Sequence, residues 1–97
     1  MGLFMPLKKN EGMLIERKNE FIEVIARKIE GTRTAREADL EIRGVPGKSV
    51  IHLKHDNGLV KILPDVYIGI RNKKRADKDE VEMHFSTNYY MVKLKYD

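Results

Sequence analysis

His52-Leu53-Lys54-His55 has the His-x-x-His spacing that serves a metal when it sits on a helix. Its surroundings read as a strand, where residues three apart point to opposite faces, so the two imidazoles do not converge and no metal site is expected. Gly44-Val45-Pro46-Gly47-Lys48-Ser49 ends in Gly-Lys-Ser. It lacks the spacing of a phosphate-binding loop, and Pro46 has no amide to donate. The hydroxyls of Ser49, Ser86, Thr32, Thr34 and Thr87 lie in no nucleophile motif. The carboxylates are interleaved with lysine and arginine at pairing distance and read as solvated ion pairs. Neither an enzyme nor a cofactor is expected. The positive residues are the remaining chemistry. Arg71-Asn72-Lys73-Lys74-Arg75 is the one dense basic run, with Tyr89, Lys93 and Lys95 further on. A basic loop beside a sheet face carrying tyrosine and lysine is the arrangement that holds a single strand of nucleic acid, through phosphates and stacked bases.

Composition sets the frame for that chemistry. The chain has 97 residues, enough for one domain with a single modest core. Nineteen basic residues against 15 acidic ones give a net charge of +4, a modest bias toward an anionic partner. Cysteine is absent, which removes disulfides, thiolate zinc sites and thiol nucleophiles. No apolar run is long enough to span a membrane, and the first residues do not resemble a signal peptide. The expectation is an intracellular, cytoplasmic protein.

The elements that must position these residues are mostly strands. Residues 40–70 read as a three-stranded antiparallel meander. Pro46-Gly47 fits the centre of a type II turn and Asn57-Gly58 a type I′ hairpin turn. Those turns set Ile42 opposite Ile51, Leu40 opposite Leu53, Leu53 opposite Ile62 and His55 opposite Val60. One face then holds Leu40, Ile42, Ile51, Leu53, Val60 and Ile62. Pro64 should end the last of these strands, with Val66 to Ile70 forming another. A C-terminal hairpin about Thr87-Asn88 pairs Phe85 with Tyr90, Met83 with Val92 and Val81 with Leu94.

Residues 20–30 are ambiguous. Asn19 is a suitable N-cap, and Phe21, Val24, Ile25 and Ile29 make a helical stripe ahead of Gly31. The β-branched Ile22, Val24, Ile25 and Ile29 argue for strand. Caps and periodicity together point to a helix. Residues 31–38 read as a linker with a helical turn begun at Thr34, and residues 1–12 as a flexible arm before a single domain over 13–97. The expected fold is therefore mainly β: a small meander plus a C-terminal hairpin, barrel-like, with one N-terminal helix, or alternatively α+β.

Met13-Leu14-Ile15-Glu16-Arg17-Lys18-Asn19-Glu20-Phe21-Ile22-Glu23-Val24 resembles the opening strand and turn of the carbon storage regulator family. Gly44 to Val50 resembles its central turn and strand, and Val60-Lys61-Ile62 with Asp65-Val66-Tyr67 its later strand and helix entry. A second alignment places Val66-Tyr67-Ile68-Gly69-Ile70 on the family's Val-x-Ile-Gly-Ile. The Ala-Pro before the family's later strand and the arginine after it are missing. The resemblance implies an RNA-binding translational regulator built as an interlocked β dimer. Arg17 and Lys18 would then match RNA-contacting positions, and residues 20–25 would be strand. The sequence thus leads to two functional expectations: a small regulatory protein that binds RNA or DNA, RNA foremost, or a structural module that joins copies or a protein partner through sheet edges.

Overall fold

The longest element of the computed structural model is the strand Glu20–Thr32, in the place where caps and periodicity point to a helix. The structure describes residues 2–32, 34–44, 49–71 and 79–96, and its elements are nine strands. In chain order they are β1 (Gly2–Lys8), β2 (Glu11–Arg17), β3 (Glu20–Thr32), β4 (Ala35–Arg43), β5 (Ser49–Lys54), β6 (Val60–Leu63), β7 (Val66–Arg71), β8 (Glu80–Ser86) and β9 (Tyr90–Lys95). No helix occurs among the described residues, so none there could cross a membrane.

The misleading signal in β3 has a physical source. Ile22, Val24 and Ala26 alternate toward the core, and the register with β4 then shifts between Ala26 and Lys28. That bulge inserts one residue, so Ile29 rather than Lys28 packs inward. The helical stripe mixes two faces: Val24 and Ile29 pack inward, whereas Phe21 is exposed and Ile25 lies opposite Glu41, outside the core cluster. The expected linker over residues 31–38 instead holds the end of β3 and the start of β4, with Gly31 opposite Arg36 and Thr32 opposite Ala35.

The strands form two antiparallel sheets, ordered β1-β8-β7-β6 and β5-β4-β3-β2-β9. We call the four-stranded one sheet A and the five-stranded one sheet B. Their inner faces share one core. Sheet A contributes Leu7, Val66, Ile68, Ile70, Val81, Met83 and Phe85; sheet B contributes Met13, Ile15, Ile22, Val24, Leu40, Ile42 and Leu53. This is a two-layer sandwich with four edge strands, and the described residues form no closed barrel.

Three connections carry the chain from one sheet to the other: β1 to β2, β5 to β6 and β8 to β9. Two expected hairpins fall on such crossings. Gly58 does take a left-handed backbone, φ 69°, but Asn57 has no positive φ, so the type I′ turn does not close. Asn57 instead caps the end of β5, its side-chain oxygen accepting from the Lys54 amide at 2.8 Å. Strand β6 pairs with β7, not with β5. Similarly, Phe85 lies opposite Leu3 and Ile68 rather than Tyr90, and β9 pairs with β2. The alternation of apolar and charged residues orients β4, β5 and β8 correctly, but not β9, where Met91 packs on the core and Tyr90, Val92 and Leu94 face outward; nor does it name a strand's neighbour.

The hairpin between β4 and β5 does form, two residues out of the expected register: Ile42 faces Ser49 and Leu40 faces Ile51. A slip of two keeps every side chain on its face, so Leu40, Ile42 and Leu53 remain buried. Residues 45–48, which hold the expected Pro46-Gly47 turn, lie outside the described residues. Strand β6 ends at Leu63, before Pro64, and β7 follows from Val66. Gly2–Lys8, without periodicity in the sequence, pairs along its whole length with β8 and buries Leu7.

Candidate nucleic-acid interface

The outer face of sheet A gathers the groups most suited to a nucleic acid. Antiparallel register puts Phe4, His84 and Gly69 in one row across β1, β8 and β7, and Pro6, Glu82 and Arg71 in the next. The Phe4 ring lies 4.5 Å from the His84 imidazole, centroid to centroid, tilted by 32°. The Arg71 guanidinium sits over Phe4 with its carbon 4.2 Å from the ring centroid, within range of a cation–π contact. The nearly buried Glu82 carboxylate lies 3.8 Å from Arg71 Nε and orients it. Tyr67 stands on the same face, two residues before Gly69, with Lys61 opposite it on β6.

An open cleft of about 320 Å³ runs beside this cluster, lined by Phe4, Leu59, Gly69, Arg71 and His84 together with Gly58. Gly69 has no side chain to fill the row next to His84. A Cβ there would stand 2.7 Å from the Gly58 carbonyl oxygen, so the β5–β6 crossing lies directly against the strand.

The other residues expected at the interface do not converge on this cluster. Lys73, Lys74 and Arg75 lie outside the described residues. Arg17 and Tyr89 meet at Asp65, where Arg17 Nε is 3.2 Å from Asp65 Oδ1 and the Tyr89 hydroxyl donates to Oδ2. That hydroxyl, with the Arg17 charge behind it, holds the Asp65 carboxyl below its ordinary value. The same carboxylate pushes the Tyr89 phenol up. Arg17 also reaches Glu20 at 3.5 Å, and Lys18 occupies the β2–β3 turn with φ 53°. Lys93 donates to the Pro6 carbonyl at 3.0 Å and lies 3.4 Å from Glu11. The Lys8 amide, and then Lys93, keep the Glu11 carboxyl low.

Lys95 pairs with Glu11 at one end of β2, and Arg17 stands at the other. Six residues of strand at about 3.4 Å each separate them by about 20 Å. The expected set is therefore split between the two ends of the sandwich. A second hollow, of about 340 Å³, lies near Leu3, Thr87, Asn88, Tyr89 and Met91 and has no cation in its lining.

Phe4, Leu59 and His84 carry no signal in the sequence that marks them as parts of one site. Phe4 lies in a stretch without periodicity, and only the β1–β8 pairing brings it to Arg71. The Val-x-Ile-Gly-Ile pattern was the one visible sign that the position of Gly69 is special.

The outer face of sheet B is built differently. Arg27 Nε lies 3.2 Å from Glu41, and Arg43 bonds the other oxygen of the same carboxylate. The Tyr96 ring lies 5.8 Å from the Arg43 guanidinium, and burial, with the Glu23 carboxylate adding, pushes its phenol well above the ordinary value. At the β5 edge both ring nitrogens of His52 meet carboxylates, Asp39 at 2.5 Å and Glu37 at 2.7 Å. Asp39 first and Glu37 second raise its pKa. Along β9 and the β2–β3 hairpin the face is apolar, with Tyr90 70%, Phe21 57% and Val92 and Leu94 each 37% exposed. Searches against protein-family models, curated proteins and solved structures find no match for the chain.

Proposed function

We propose that the protein is a small, non-catalytic regulator that binds single-stranded nucleic acid, RNA in preference to DNA, on the outer face of sheet A. The observation that carries this reading is the stack of Arg71 on Phe4 on His84 beside an open cleft. Arg71 also opens the Arg71–Arg75 basic run in the sequence, which supplies charge for phosphates. The resemblance of residues 13–70 to the carbon storage regulator family points to the same ligand. Arg17 and Lys93 lie 3.2 and 3.4 Å from their carboxylates, closer than the 3.8 Å between Arg71 and Glu82, and contribute less.

Fluorescence anisotropy with an end-labelled RNA of about 12 nucleotides tests the reading. Affinity should fall steeply as salt rises from about 50 mM to about 200 mM, and Arg71→Ala should reduce the logarithmic salt slope by about 0.7. An affinity indifferent to salt contradicts it.

One observation favours a second reading, a module that joins copies of the chain. Tyr90, Val92, Leu94 and Phe21 leave an apolar stretch open on sheet B. Pairing through sheet edges is the poorer route, because Pro6 sits in edge strand β1 and Lys93 and Lys95 in edge strand β9. Light scattering across a concentration series distinguishes the readings: association abolished by Val92→Glu supports the module, and a monomer at every concentration removes it.

A further inference from the structure

We infer that the cleft over Gly69 holds one unpaired base between the His84 imidazole and Leu59, so that the protein selects single strands over duplex. This rests on the nucleic-acid reading of the same face and goes beyond it by naming what the cleft recognises.

The register carries the argument. Gly69 lies directly opposite His84, and a Cβ there would run into the Gly58 carbonyl and the Leu59 side chain, so only glycine lets the β5–β6 crossing sit this close beside the imidazole. On the far side the β5–β6 crossing brings Leu59 up as an apolar wall, 46% exposed with no ligand present. A flat ring entering from solvent meets an aromatic plane on one side and an aliphatic surface on the other. Both suit the face of a base and neither suits a phosphate.

The polar groups agree with that orientation. Gly58, packed against Gly69, also lines the cleft, and its carbonyl oxygen is an acceptor of the kind the N–H edge of a base requires. Arg71 at the rim meets the backbone phosphate. At about 320 Å³ the cleft is near the small end of ligand sites, about 300–1,000 Å³, which suits a single ring system. Bases inside a duplex are stacked on both faces and cannot enter such a slot.

Competition binding tests this, with the end-labelled RNA displaced by unlabelled single strand or by the same strand annealed to its complement. The wild-type protein should prefer the single strand by about tenfold or more, the effect of one stacked base. His84→Ala should remove most of that preference by weakening single-strand binding far more than duplex binding, and His84→Phe should restore it. Should His84→Ala fail to fold, Leu59→Asp tests the opposite wall and should lose the preference in the same way. Equal wild-type affinity for both forms overturns the base slot and leaves the nucleic-acid reading standing. A preference that survives His84→Ala and Leu59→Asp also overturns the slot. Binding to neither form overturns the underlying reading itself.

Discussion

The two outer faces of this sandwich are made by the same kind of sheet, yet they present opposite chemistry. Sheet A turns Phe4, Tyr67, His84, Lys61 and Arg71 outward, and its central carboxylate, Glu82, faces Arg71. Sheet B turns out Glu16, Glu23, Glu37, Asp39 and Glu41; Glu41 takes Arg27 and Arg43, and Glu37 and Asp39 take His52. A polyanion approaching sheet B meets carboxylates whose cations are already engaged. On sheet A it meets an aromatic stack with a guanidinium at its rim. A net charge of +4 is therefore a poor guide alone; what matters is how cations, acids and rings are arranged on each face.

The largest effect expected from disturbing this contrast lies just behind it. Phe85 is fully buried on the inner side of β8, adjacent in sequence to outward-facing His84. Phe85→Ala should cost roughly 3–5 kcal/mol in urea unfolding. His84→Ala, on the other side of the same strand, should cost far less. Equal losses would mean that β8 does not separate an inside from an outside as described.

A smaller effect isolates the cleft from the rest of sheet A. Gly58 has φ 69°, and its carbonyl closes the floor at Gly69. Gly58→Val should cost about 1–2 kcal/mol through its left-handed backbone, although nothing lies within 4 Å of an added Cβ. It should also weaken RNA binding, whereas Val92→Lys on sheet B should not. Unchanged binding in Gly58→Val would detach the β5–β6 crossing from the site.

These positions show how much could be read before the fold was known. Alternation alone turned Leu40, Ile42, Ile51 and Leu53 inward, and they remain inward despite a slip of two residues. What alternation cannot state is whether a polar turn returns the chain beside itself or sends it to the opposite sheet. Asn57-Gly58 and Thr87-Asn88 look like hairpin turns for that reason and serve as crossings. The bulge at Arg27 hid β3 by breaking its period. The site was less legible still. Arg71 stood out through its charge, but Phe4 and Gly69 acquire meaning only from cross-strand register, which is a tertiary fact.

The smallest expected effect concerns sheet B alone. The Asp39 and Glu37 carboxylates raise the pKa of His52 above its ordinary 6.5. The stabilisation its imidazolium gives to the β4–β5 pair is thus complete below that unfolded value and is lost as pH rises through the folded one. Lys28 lies opposite Asp39 and Lys54 opposite Glu37, so a lysine also faces each of the two carboxylates. The urea midpoint should fall between mildly acidic and mildly alkaline pH, and it should change less in His52→Gln. RNA binding measured at the same pH values should not follow that titration, since His52 lies on the other face.

The central claim is that sheet A, not sheet B, meets the nucleic acid. Titrating isotopically labelled protein with single-stranded RNA and following amide and aromatic resonances tests it most directly. The account predicts shifts concentrated at Phe4, Leu59, Gly69, Arg71 and His84, with Phe21, Tyr90, Val92 and Leu94 unmoved. Shifts confined to the β9 face, or to Arg17 and Tyr89 around Asp65, would contradict it.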